Sequence, residues 1–323
     1  MQKKKKKLYP LKFVEGNSLL DSDSVISNGF LAENSMDDVI ETYLADLLGP
    51  KVLEYYRGEL PVTVRVIDAE QPLPVMACPD DITARERYLV WGRPFLWYFS
   101  NVGPGARVYY GFKEQMSAET LYNAVVEGTL RDRMYSFVPH EGDSLFVRGG
   151  MPFSAEGMLK IVEIAGNSPV TYHLEQIPEL GEAMDILDYS PVSGENSEVG
   201  DCHFVVNLRN ISRESRVEPS AYGSFIIYVC VGGQALIRTN DGAEYPVANM
   251  ETVFIPESME DFALVPAGGQ PVRLLEIFMT RLDEPVKDSY IDDEAGDGHC
   301  HGHHECGCGD HGCTHDGHDH RKS

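Results

Sequence analysis

The densest chemistry in this 323-residue chain lies at its far end. Residues 299–320 read HCHGHHECGCGDHGCTHDGHDH and hold eight of the 11 histidines and four of the seven cysteines. Neutral imidazole and thiolate are the groups that zinc, nickel and copper ions take as ligands. Glycine and aspartate between them keep such a segment hydrated and unable to build a core. Cys306 and Cys308 suit local chelation, as do two His-x-His pairs, His299 with His301 and His318 with His320. Cys300, His303, His304, His311, Cys313 and His315 complete the candidate ligand set. The expectation is a tail that binds Zn, Ni or Cu and is disordered without metal. A polar tail that merely scavenges ions is the plainer alternative.

The body of the chain offers far less. His140 stands before a turn, near Glu141 and Asp143, and reads as a solvent-facing loop histidine. His173, beside Tyr172 on an expected strand, is either a substitute ligand or base or a packed, hydrogen-bonded side chain. His203 follows Cys202, but neighbours on a strand point to opposite faces, so the two do not form one site. The stretch GPGA (103–106) reads as a hairpin turn, and neither a glycine-rich phosphate loop nor a Ser-His-Asp order stands out.

These residues must be positioned by a mainly β structure. The stretch LPVTVRVID (60–68) alternates, placing Val62, Val64 and Val66 on one face. Strands are expected likewise at 106–112, 144–150, 159–164, 224–231, 234–239, 252–256 and 272–278, mostly punctuated by Gly or Pro. Two helices are expected. One runs near 35–48, with Ser35 as N-cap, Asp37 and Asp38 at its positive end, Val39, Tyr43, Leu44 and Leu47 as its apolar stripe, and Gly49–Pro50 as its stop. The other spans 117–130, capped by Ser117. Many short strands with a few appended helices describe jelly-roll barrels. The strand order also recurs: ARVYYGF, SLFVRGG and LKIVEI are echoed by QALIRT, TVFIP and VRLLEIF. Two related barrels are therefore expected, joined by the acidic, turn-rich stretch near 180–200.

Composition limits the partners. A net charge of −24 argues against nucleic acid, whose phosphates require clustered Lys and Arg. No apolar run is long enough to span a membrane. Lys3 to Lys7 form a basic run with no apolar stretch behind it, so no secretory signal is expected. That run reads as a solvated end, or less simply as a contact for acidic surfaces. Without a signal, disulfides are not expected, and the reading is cytoplasmic.

Several blocks, in order, resemble the type I mannose-6-phosphate isomerases, two-cupin zinc enzymes, in their short bacterial form. They are LYPLKF (8–13), SVISNGFLAENSMDDVIETYLADLLGPKV (24–52), VIDAEQPLPVMACPDD (66–81), GRPFLWYF (92–99) and EIAGNSPVTYHL (163–174). The resemblance runs from about residue 8 to residue 280. It implies two cupin domains, 8–190 and 191–285, after a basic terminus 1–7 and before an acidic linker and metal-binding tail, 286–323. It also implies a zinc held by Gln, His, Glu and His. Carried over, those positions fall on Met76, Cys78, Phe95 and Phe153. Phenyl rings cannot coordinate zinc and a thioether is a poor partner for it, which leaves Cys78 alone. Of the family's sugar-phosphate contacts, a lysine becomes Arg93, which keeps the charge, and an arginine becomes His173. A tryptophan-containing segment near the family's N-terminus is missing.

In such enzymes the metal stabilises charge developing on an enediol. Its loss costs on the order of a thousandfold or more in rate. The resemblance therefore implies a relative with no cofactor in the cupin pocket and isomerisation lost or strongly impaired, whose pocket still admits a sugar or sugar phosphate through Arg93. The alternatives are an active isomerase with a metal site rebuilt from Cys78, His140, His173 or the tail, and a metal storage or delivery protein carried on a cupin body.

Overall fold

The computed structural model describes residues 7–15, 18–192 and 203–282. Every strand expected from the alternation is present, and with its neighbours each enters one of four antiparallel sheets. The first sheet runs, in spatial order, Ser18–Leu20, Val62–Asp68, Leu159–Gly166, Phe95–Val102 and Ser144–Val147. The second is Tyr172–His173, Met76–Ala77, Phe153–Glu156, Arg107–Phe112 and Met134–Phe137. The third is Leu11–Lys12, Thr252–Ile255, Ile226–Gly232, Val272–Met279 and Phe204–Ile211, and the fourth is Ser215–Val217, Phe262–Pro266, Ala235–Thr239 and Glu244–Val247.

Side-chain packing orders these sheets into two jelly-roll barrels. Phe95, Trp97, Val108, Phe153 and Ile161 fill the space between the first and second sheets. Tyr228, Ile237, Ile255, Phe262 and Leu274 fill the space between the third and fourth. A further core joins the barrels: Val62, Val64, Val162 and Ile164 of the first sheet meet Ile227, Val229, Leu275 and Ile277 of the third. The face carrying Val62 and Val64 thus points at the neighbouring barrel, with Val66 only half-buried at its end. Helices cover the outer face of the second sheet, through Leu121, Leu130 and Leu180.

The first long helix departs from its expected form. Ser35 caps it, with Asp38 completing a reciprocal capping box. It breaks at Leu44, whose φ of 47° leaves the helical region and whose side chain is 46% exposed rather than part of the apolar stripe. A short helix, Ala45–Leu48, follows. Pro50 does not end the segment but opens a third helix, Pro50–Tyr56, at the position where a missing N–H costs nothing. The segment Ala118–Val126 is helical behind its Ser117 cap, and Leu130–Arg133 adds a further turn. The N-terminal strand Leu11–Lys12 pairs with Val253 and Phe254, so this part of the 8–190 segment adds an edge to the second barrel's sheet.

Candidate functional site

The stretch 71–81 delivers residues to the first barrel's centre and is held there by its backbone. Leu73 donates to the Ala155 carbonyl, Leu174 donates to that of Val75, and Gly150 donates to that of Cys78. The Asp80 carboxylate caps the helix Asp81–Tyr88, accepting from the Thr83 N–H at 2.7 Å. Two glycines seat this turn. A Cβ on Gly149 would stand 2.3 Å from the Asp80 Cα, and one on Gly92 would stand 2.5 Å from the Asp81 nitrogen.

Register then brings the four positions singled out in sequence together. Met76 pairs with Phe153 on one side and His173 on the other. The Phe95 and Phe153 rings meet nearly edge-on at 4.6 Å, and Trp97 closes the cluster at 5.3 and 5.7 Å. Both phenylalanines are 1% exposed and Cys78 is 2% exposed. Edge-to-face contact satisfies the ring quadrupoles and leaves the centre packed with carbon. Burial pushes the Cys78 thiol pKa up, against the opposing pull of Arg93. A zinc does not fit this set, because two members have no lone pair to offer, one is a thioether and the last is a buried thiol. Among the described residues, no group of three or more His, Cys, Asp or Glu side chains is placed to hold a metal ion.

The charged group beside this cluster was not singled out in sequence. Glu163, 1% exposed, accepts from Arg65 Nε at 2.6 Å, Arg93 Nη2 at 2.8 Å and Trp97 Nε1 at 2.9 Å. Burial alone would raise its pKa; Arg93 and Arg65 outweigh that and hold the carboxyl below its ordinary value. Arg93, expected to be open to a phosphate, is 8% exposed and committed to this carboxylate. Burial would lower its pKa, and Glu163 with Cys78 outweighs that and holds it above its ordinary value. The second barrel repeats the device. Glu276, 2% exposed, accepts from Arg209 at 2.8 Å and from the Tyr228 hydroxyl at 2.8 Å. The signal was present in the echo of LKIVEI by VRLLEIF: one acidic residue at the same place in two strands that are apolar but for it and a basic residue near their start.

The histidines scatter. His173 shares the face of Met76 but bonds Glu179 through Nδ1 at 3.0 Å. His140 is 84% exposed and pairs locally with Asp143. His203 lies elsewhere, against the Tyr55 hydroxyl at 3.1 Å and within 3.8 Å of the Asp81 carboxylate. Cys78 and Cys230 are free and buried. Cys202 lies outside the described residues. So does every tail ligand expected from the sequence: His299, Cys300, His301, His303, His304, Cys306, Cys308, His311, Cys313, His315, His318 and His320.

Fold and centre together define a double-barrel β protein with an aromatic core in its first barrel. That fold is the one seen in mannose-phosphate isomerases. A protein assigned as a mannosephosphate isomerase from Archaeoglobus fulgidus superposes with a TM-score of 0.68 and 19% identity, over 80% of this chain and 83% of its own. The mannose 6-phosphate isomerase from Bacillus subtilis gives 0.66 and 17%, over 79% and 85%. A single-site variant of the phosphomannose isomerase from Salmonella typhimurium gives 0.64 and 15%, over 80% and 88%. At these identities the likeness is one of fold. No family model and no curated protein matches the chain. No helix among the described residues is long and apolar enough to cross a membrane.

Proposed function

We propose that this chain is a mannose-phosphate-isomerase-like protein whose first barrel has exchanged a metal centre for a packed one, so that its body does not isomerise sugar phosphates. The observation that carries this reading is the 4.6 Å contact between Phe95 and Phe153, at positions the resemblance assigns to metal ligands. Neutralisation of Arg93 by Glu163 supports it further, since a guanidinium already paired in the interior has little attraction left for a phosphate. In this reading the pocket holds no cofactor. Transition-metal chemistry belongs to the tail, whose His and Cys ligands bind Zn, Ni or Cu in the reducing cytoplasm.

The test is a coupled assay for conversion of mannose 6-phosphate to fructose 6-phosphate with added zinc. It is run on the full chain and on a variant ending at Asp297. No turnover in either form is expected. Turnover in the shortened chain overturns the proposal, and turnover only with the tail present would point to a rebuilt metal site. Metal analysis of both forms should find bound ions only where the tail is present.

A further inference from the structure

Away from both barrel centres, a cleft of about 510 Å³ opens between the N-terminal segment and the hairpin formed by Ala235–Thr239 and Glu244–Val247. That volume falls in the range of small-molecule sites, roughly 300–1,000 Å³. Tyr9 and Tyr245 line it, their rings 16° from parallel with centroids 6.3 Å apart. Tyr9 is fixed in place: its hydroxyl donates to the Asn28 carbonyl at 2.8 Å and accepts from the Leu31 N–H at 2.9 Å. Its ring lies where a Cβ on Gly29 would come within 2.3 Å. Here glycine is doubly required, since Gly29 also has a φ of +65°.

Of the charged groups lining this cleft, all but Asp241 are paired with an opposite charge. Lys7 pairs with Glu260 at 2.6 Å and Lys12 with Glu251 at 3.1 Å. Asp261 pairs with Arg216 at 2.7 Å and Glu244 with Arg238 at 2.9 Å. Asp241 turns back on its own loop, accepting from the Thr239 hydroxyl and the Ala243 N–H. A phosphate would meet carboxylates whose cations are engaged, on a chain of net charge −24. A cation would have to displace a lysine or an arginine already in place, except at Asp241, whose carboxylate is held by its own loop. What remains attractive is a rigid aromatic wall with a rim of polar groups, which matches a ligand with an apolar C–H face and hydroxyls that both donate and accept.

We propose that this cleft binds a neutral saccharide, with a sugar ring against Tyr245 and Tyr9 and its hydroxyls directed at the polar rim. The proposal is independent of the reading of the first barrel. The full-length protein is titrated with mannose, glucose and mannotriose, and with mannose 6-phosphate as the charged comparison, by calorimetry and saturation-transfer NMR. Expected are millimolar binding of neutral sugars and saturation concentrated on ring C–H protons. Affinity should fall about five- to tenfold in Tyr245→Ala, as for loss of one stacked ring. The Tyr122→Ala variant, which changes an exposed aromatic on another surface, should bind normally. If Tyr245→Ala loses its cooperative melt, Tyr245→Leu keeps the apolar bulk while removing the ring face, and it too should bind weakly. No transfer from any neutral sugar at tens of millimolar, unchanged binding in the Tyr245 variants, or tighter binding of mannose 6-phosphate than of mannose would each overturn the proposal.

Discussion

Glu163 gathers donors from two separate stretches of chain, Arg65 in one and Arg93 and Trp97 in the other, and removing its charge strands the buried Arg93 guanidinium beside a carbon-packed core. The Glu163→Gln variant keeps the shape and one acceptor, yet leaves Arg93 buried without a counter-charge. It should lose on the order of 3 kcal/mol in denaturant unfolding at neutral pH. The acid limb gives an independent reading. Because the folded carboxyl titrates below its ordinary value, its contribution is complete above the unfolded glutamate pKa, about 4.3. It is lost as the pH falls through the lower folded value. The wild type should therefore lose stability more steeply than the variant below that point, and parallel acid limbs would show that this carboxylate carries no charge-dependent stability. Sequence reading found Phe95 and Phe153 because their chemistry is wrong for an expected role. It passed over Glu163 because a single acid in an apolar strand has no local pattern to betray it, and its partners lie dozens of residues away.

At the scale of elements, strands that alternate cleanly were legible, as LPVTVRVID and VRLLEIF show. The helix Asp81–Tyr88 was not, for a physical reason: it buries only Ala84, while Ile82 is 61% exposed, so no apolar stripe marks it. The Pro50 break misled in the other direction, since the residue that forbids helix interiors also favours the first turn. The turn at Asp80 depends on contacts that appear only after folding. Gly149→Ala would push a methyl to within 2.3 Å of the Asp80 Cα, where both partners are backbone. It should cost about 1–3 kcal/mol, as overpacking does. Gly181→Ala, in the helix Ile177–Ala183 with nothing within 4 Å of the added carbon, should instead stabilise by about 0.5–1 kcal/mol. Thermal melts of the two variants should shift in opposite directions, and equal shifts would remove the steric account of the turn.

The whole molecule is organised by its repeat. In the first sheet the strands Val62–Asp68, Leu159–Gly166, Phe95–Val102 and Ser144–Val147 lie in the order that Phe204–Ile211, Val272–Met279, Ile226–Gly232 and Thr252–Ile255 take in the third. Each central strand carries its buried glutamate inward beside Ile161 or Leu274 and turns the alternate residues, Val162 and Ile164 or Leu275 and Ile277, toward the other barrel. The two barrels therefore share one continuous apolar layer, and the described residues all belong to a single unit. On the proposed reading, the ion pair and three aromatic rings at the centre of the first barrel take over the work of holding its shape. Metal stabilises a fold only by binding the native state more tightly than the unfolded one. On the proposed reading the metal ligands lie in residues 299–320, and their binding should not distinguish folded from unfolded barrels. A variant ending at Lys287 should accordingly melt within a few degrees of the full chain and, after exposure to zinc, nickel or copper and desalting, retain none of them. Chelation should leave both melting midpoints where they are. A midpoint that falls when the shortened chain is treated with a chelator would mean that an ion sits inside the barrels, and the packed centre could not then be the reason the body holds together.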